Sequence, residues 1–108
     1  MNAKSFVGLL GSSDTIRGSF NFTSDGDALM DIDIRNKKFV NCKIIGGDFA
    51  SGIFLNCSFD KVLFRKVSLV GVNFDNCHFV DCKFSNVDCD FSMNNCKIGH
   101  LTITREIY

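Results

Sequence analysis

From Phe39 onward an apolar residue returns at every fifth position: Phe39, Ile44, Phe49, Phe54, Phe59, Phe64, Leu69, Phe74, Phe79 and Phe84. Phe, Leu and Ile make up about a quarter of the chain, so ten in strict register have odds on the order of one in a million by chance. A period of five is neither the 3.6 of an amphipathic helix nor the 2 of a simple strand, and both ordinary readings fail over this stretch. Units this short bury their apolar residues only by stacking on copies of themselves, which points to a repetitive solenoid.

Two residues before each large residue the sequence reads Lys37, Cys42, Gly47, Gly52, Cys57, Val62, Val67, Val72, Cys77 and Cys82. Apart from Lys37 these are small or β-branched, and a spacing of two puts small and large residues on one side of an extended backbone. Two residues after each large residue stand Asn41, Gly46, Ser51, Asn56, Lys61, Lys66, Gly71, Asn76, Asp81 and Asn86. Eight of these ten are Gly, Asn, Asp or Ser, the types that turn a corner at low cost. The chain has no Pro, as expected where each backbone N–H bonds to a neighbouring coil.

The units Cys42-Lys43-Ile44-Ile45-Gly46, Cys57-Ser58-Phe59-Asp60-Lys61, Val72-Asn73-Phe74-Asp75-Asn76, Cys77-His78-Phe79-Val80-Asp81 and Cys82-Lys83-Phe84-Ser85-Asn86 resemble the pentapeptide-repeat family. The register is continuous from about Ile32 to Asn86, about half the chain. The resemblance implies an all-β fold, a right-handed quadrilateral β-helix with four pentapeptides per coil. About three to four coils are expected, with an N-terminal cap. Residues four pentapeptides apart then stack about 4.8 Å from each other. Phe39, Phe59 and Phe79 form one ladder, Ile44, Phe64 and Phe84 a second, Phe54 and Phe74 a third, Phe49 and Leu69 a fourth, with no ligand cavity inside.

The pattern breaks at both ends. Residues 1–29 are assigned as an N-terminal cap, 30–98 as the repeat body and 99–108 as a C-terminal edge strand or cap, open to pairing with a second copy. After Phe84 the small-x-large pair recurs as Cys89-Asp90-Phe91 and Cys96-Lys97-Ile98, seven apart. That spacing implies two-residue insertions bulging at a corner, with Phe91 as a further large inward residue.

All six cysteines (Cys42, Cys57, Cys77, Cys82, Cys89, Cys96) occupy the small inward column, and none forms a C-x-x-C. Stacking brings Cys57 and Cys77 within disulfide range at about 5 Å between Cα atoms. A cytoplasmic location is expected, because the first ten residues lack a signal-peptide pattern and no apolar run approaches the roughly 20 residues of a membrane span. In that compartment the cysteines are expected to be reduced, buried and small. No metal or cofactor site is expected, and catalytic readings are weak. His78 follows Cys77 directly, so the two point to opposite faces. His100 has no acid or nucleophile at a recognisable spacing, and Asp48 and Asp88 stand two coils apart, too far to share a proton.

Function is therefore expected on the outward surface. The formal net charge is zero, so no global field selects nucleic acid or an anionic membrane, and nucleic acid ranks last among partners. The candidate protein-contact face consists of Lys43, Ile45, Leu63, Arg65 and Lys83, with Ile53 and Leu55 taken as a neighbouring column. The expected activity is non-enzymatic protein binding, in concrete form a small bacterial immunity protein that occludes a partner toxin. The alternative is a topoisomerase protector of the quinolone-resistance type. The resemblance includes proteins that imitate duplex DNA, but as longer, strongly acidic rods.

Overall fold

A computed structural model describes residues 3–22, 29–88 and 90–104. The period of five becomes a coil of four short sides, because on three of them each large residue sits at the centre of a strand segment of about three residues, and each following corner reverses φ. All ten corner residues from Asn41 to Asn86 have φ between 51° and 74°. The left-handed region suits Gly and Asn, whereas a long L side chain there costs roughly 1–2 kcal/mol. Lys61 (φ 56°) is such a corner and is exposed. Lys61→Asn is expected to stabilise the protein by about 1 kcal/mol, read as a higher urea midpoint. An unchanged or lower midpoint would show that this corner carries no strain.

After the helix α1 (Ala3–Ser12) come β1 (Thr15–Phe22), β2 (Asp33–Arg35), β3 (Lys38–Gly46), β4 (Ile53–Leu55), β5 (Ser58–Asp60) and β6 (Leu63–Arg65). Then follow β7 (Asn73–Asp75), β8 (His78–Val80), β9 (Cys82–Ser85), β10 (Ser92–Asn94), β11 (Lys97–Ile98) and β12 (Leu101–Thr104). Among the described residues the strands pair in parallel. They stack into a solenoid of about four turns. An eight-stranded sheet bends at Asn41 into two sides: β5, β8 and β11 stack on the first half of β3, and β6, β9 and β12 on its second half. The third side holds Leu29, Phe49 and Leu69 and one isolated bridge, Asp48 to Ser68. The fourth is the four-stranded sheet of β2, β4, β7 and β10. Numbered in this order along the chain, the second and fourth sides are opposite.

The core is the set of inward ladders. Phe39, Phe59 and Phe79 stack with centroids 5.0 and 4.8 Å apart and planes within 6°. Phe54 and Phe74 stack at 5.0 Å. Every large residue from Phe39 to Phe84 is fully buried, and no polar or charged residue is buried among the described residues. Side chains fill the interior.

The ends differ from the sequence reading. β1 pairs with the whole of β3, from Thr15 opposite Lys38 to Phe22 opposite Gly46, with a bulge between Ile16 and Gly18. Leu29 is buried and its N–H bonds to the Asp48 carbonyl at 2.8 Å. The coil stack thus begins at Thr15, inside the stretch assigned as cap, and α1 closes the end below it. Phe6, fully buried, meets the rings of Phe20, Phe22, Phe39 and Phe49 at 5.0 to 6.3 Å. At the other end Met93 lies opposite Phe74, Ile98 opposite Phe79 and Ile103 opposite Phe84, each falling just short of four full pentapeptides. The last coil is one residue shorter, with no pair of insertions. Phe91 takes the small-column place above Val72, edge-on to Phe74 and Phe84 at 5.7 and 5.5 Å, and Met93 takes the large one. The period of five then resumes at 93, 98 and 103.

Candidate interaction surface

With the small and large residues turned inward, each strand shows the solvent the residues on either side of its large one. On the second side these form two columns: Lys43, Leu63, Lys83 and Thr102, beside Ile45, Arg65, Ser85 and Thr104. β1 adds Ser19 next to Lys43 and Asn21 next to Ile45. Lys43, Arg65 and Lys83 are exposed, while Ile45 and Leu63 are half-buried between them. Cationic and apolar residues therefore alternate both along and across the strands, and Leu63, Arg65, Lys83 and Ser85 line a shallow depression. Neither column holds a carboxylate.

Ile53 and Leu55 do not belong to this face. They flank Phe54 on β4, in the four-stranded sheet, which lies across the core from the second side. The expected seven-residue face is two surfaces, and only Lys43, Ile45, Leu63, Arg65 and Lys83 come together. A coil of four sides puts a residue ten positions away on the opposite side, and Leu55 stands ten from Ile45.

The first side carries Lys38, Ser58, His78 and Lys97 in one column and Val40, Asp60, Val80 and Gly99 in the next. At the corner before it runs an asparagine ladder that column-blind reading misses. Asn76 Nδ2 donates to Asn56 Oδ1 at 3.0 Å, and Asn56 Nδ2 donates to Asn36 Oδ1 at 2.7 Å. Comparing each corner with the one four pentapeptides later would have found it. Beside it lies a polar groove lined by Asn36, Lys38, Ser58 and His78 among others.

Cys77 faces inward and His78 outward, as alternation on a strand requires. The described cysteines are free, and four of the five are buried; Cys89 lies outside the described residues. Thiol donors satisfy backbone carbonyls of the coil below: Cys42 Sγ to Ile16 O at 3.0 Å, Cys77 to Phe54 O at 3.2 Å and Cys82 to Phe59 O at 3.3 Å. Burial pushes the Cys42 and Cys82 thiols above the ordinary range. Cys77 is pushed further up, first by its hydrogen bond with Cys57 and then by burial. These thiols are poor nucleophiles at neutral pH. His100 Nδ1 lies 3.8 Å from Asp81 Oδ1, both exposed. Among the described residues no group of three or more His, Cys, Asp or Glu is placed to hold a metal ion.

A family model described as pentapeptide repeats matches residues 53–88 in eight copies. Residues 53–88 are pentapeptide repeats. The match covers the middle of the stack, and the same coils continue on both sides of it. No curated protein matches the chain. Among the described residues no helix is long and apolar enough to cross a membrane.

The zero net charge of the chain conceals a separation. Within residues 29–104, the eight-stranded sheet and its corners up to Asn86 display Lys38, Lys43, Lys61, Arg65, Lys66, Lys83 and Lys97 against Asp60 and Asp81. The remaining two sides display Asp31, Asp33, Asp48, Asp75, Asp88 and Asp90 against Arg35. Arg35 is itself held by Asp33, Nε to Oδ1 at 2.9 Å. Lys37 points toward the helix end, its Nζ donating to Ser13 O at 2.8 Å and 3.7 Å from Asp14. Among these described residues charge is separated across the solenoid axis.

Proposed function

We propose that the chain is a non-enzymatic protein-binding module that docks its partner on the second side of the solenoid, and that its concrete role is that of a bacterial immunity protein occluding a toxin domain in the cytoplasm. The supporting observation is the carboxylate-free checkerboard of Lys43, Ile45, Leu63, Arg65 and Lys83 on rigid, stacked strands. Half-buried apolar residues ringed by charge supply the desolvated centre and polar rim of a protein contact. Stacked backbone hydrogen bonds hold the strands in place, so the backbone loses little conformational freedom on binding.

The topoisomerase-protector reading has one point in its favour, the acidic third and fourth sides. About four coils at roughly 4.8 Å each span about 20 Å, over which duplex DNA carries about a dozen phosphates. The solenoid offers six carboxylates there and a basic surface behind them, a poor imitation of an all-round negative rod.

Photo-crosslinking separates the docking sides. A photoreactive residue in place of Leu63 is expected to yield one stoichiometric protein adduct in the source cell, and the same residue in place of Leu55 none. The immunity role requires that the captured protein be toxic when expressed without this chain. An adduct formed at position 55 alone, or at neither position, would contradict the reading.

A further inference from the structure

We infer that the surface this face recognises is an acidic polypeptide with apolar side chains set among its carboxylates, approached in one orientation fixed by the charge separation. The inference rests on the second side being the docking face and adds the chemistry of what docks there. Lys43 and Lys83 are two coils apart in one column, about 10 Å, with Arg65 between them in the other. Ile45 and Leu63 fill the places between the three cations. A carboxylate-bearing partner meets each cation while its apolar residues meet Ile45 and Leu63, so desolvated area and ion pairs are gained together.

Nucleic acid fits the same face less well. Phosphates bring charge but nothing apolar to cover Ile45 and Leu63, and no aromatic ring stands in either column to stack a base. The acidic third and fourth sides sharpen the choice. An acidic partner is attracted to one flank and repelled by the other, so encounter is oriented and falls off with salt.

The test uses the full chain and three fluorescent probes: a twelve-residue peptide alternating Glu and Leu, the same pattern with Lys for Glu, and a twelve-nucleotide single strand. The Glu-Leu peptide is expected to bind, to shift amide resonances of β6, β9 and the second half of β3, and to weaken about tenfold between 50 and 300 mM salt. K43E/R65E/K83E, and to a lesser degree K43Q/R65Q/K83Q, lower its affinity at least tenfold, whereas D33N/D75N/D88N does not lower it. Tighter binding of the single strand, equal binding of the Lys-Leu peptide, shifts confined to β2, β4 and β7, or no binding overturns the inference. A Leu63 crosslink to a partner combined with no Glu-Leu binding removes the acidic-partner inference alone. Absence of the Leu63 crosslink removes the docking face itself.

Discussion

Phe59→Ala is expected to cost about 3–5 kcal/mol, the range for removing a buried aromatic ring. Phe59 is fully buried, sandwiched by Phe39 at 5.0 Å and Phe79 at 4.8 Å, and edge-on to Phe54 and Phe74 at 5.7 and 6.0 Å. Deleting it opens a cavity that rigid coils above and below cannot collapse into, since strand spacing is fixed by backbone hydrogen bonds. Against a typical total of about 5–15 kcal/mol the loss is a large share. Phe59→Leu, which keeps a large side chain as Leu69 does on the third side, should cost clearly less. Urea unfolding at pH 7 reads both, and a Phe59→Ala shift under about 1 kcal/mol would mean the ladder is not the stabilising element.

Stability is expected to fall steeply above about pH 8.5, the ordinary thiol pKa. Cys42 and Cys82 are 1–2% exposed and held as thiols in the fold by burial, whereas the paired Cys57 and Cys77 shift in opposite directions, Cys57 down and Cys77 up, through the bond between them. The folded pKa values of Cys42 and Cys82 are raised, so above the unfolded value the unfolded chain loses protons that the native state keeps. That lowers stability as pH rises, until each folded pKa is reached. Each fully held thiol contributes a slope of up to about 1.4 kcal/mol per pH unit, so Cys42 and Cys82 together give up to about 3. Cys82→Val tests the assignment, because Val62 already occupies the same inward column one coil below. The variant should fold normally and lose a measurable part of the alkaline slope above about pH 8.5. An unchanged slope would assign the pH dependence to other groups.

The middle of the fold was readable because each of its coils is four whole pentapeptides long. Phe39 to Phe84, their small partners and the corners fell into columns by counting alone, and the structure places them there. The N-terminal helix was not readable, for a physical reason. Its sequence carries Gly8 and Gly11, both poor helix formers, and it is held by the insertion of Phe6 rather than by propensity. The place of β1 in the stack was not readable because its register on β3, Thr15 opposite Lys38 and Phe22 opposite Gly46, exceeds four pentapeptides and so falls off the period. The last coil misled in the opposite way: Phe91 looked like a large inward residue, but one missing residue shifts it into the small column and promotes Met93.

The grouping of the outward residues was half readable. Lys43, Ile45, Leu63, Arg65 and Lys83 follow from a coil of four pentapeptides, whereas Ile53 and Leu55 were placed beside them when they belong on the far side. Net charge was the least informative quantity, because a sum carries no positions. The same charges sorted by column separate into a basic sheet and an acidic back. Zero net charge describes that separation as well as it describes an inert surface.

The docking face and the charge separation both depend on which residues share a column, and nuclear Overhauser contacts between backbone protons of stacked strands measure that register directly. Contacts are expected to join Lys43 to Leu63 and Leu63 to Lys83, a full coil apart, and Lys83 to Thr102, one position short of a full coil. Contacts at any other spacing, or a Lys83 strand that contacts neither Leu63 nor Thr102, would dissolve the basic and apolar face and the function built on it.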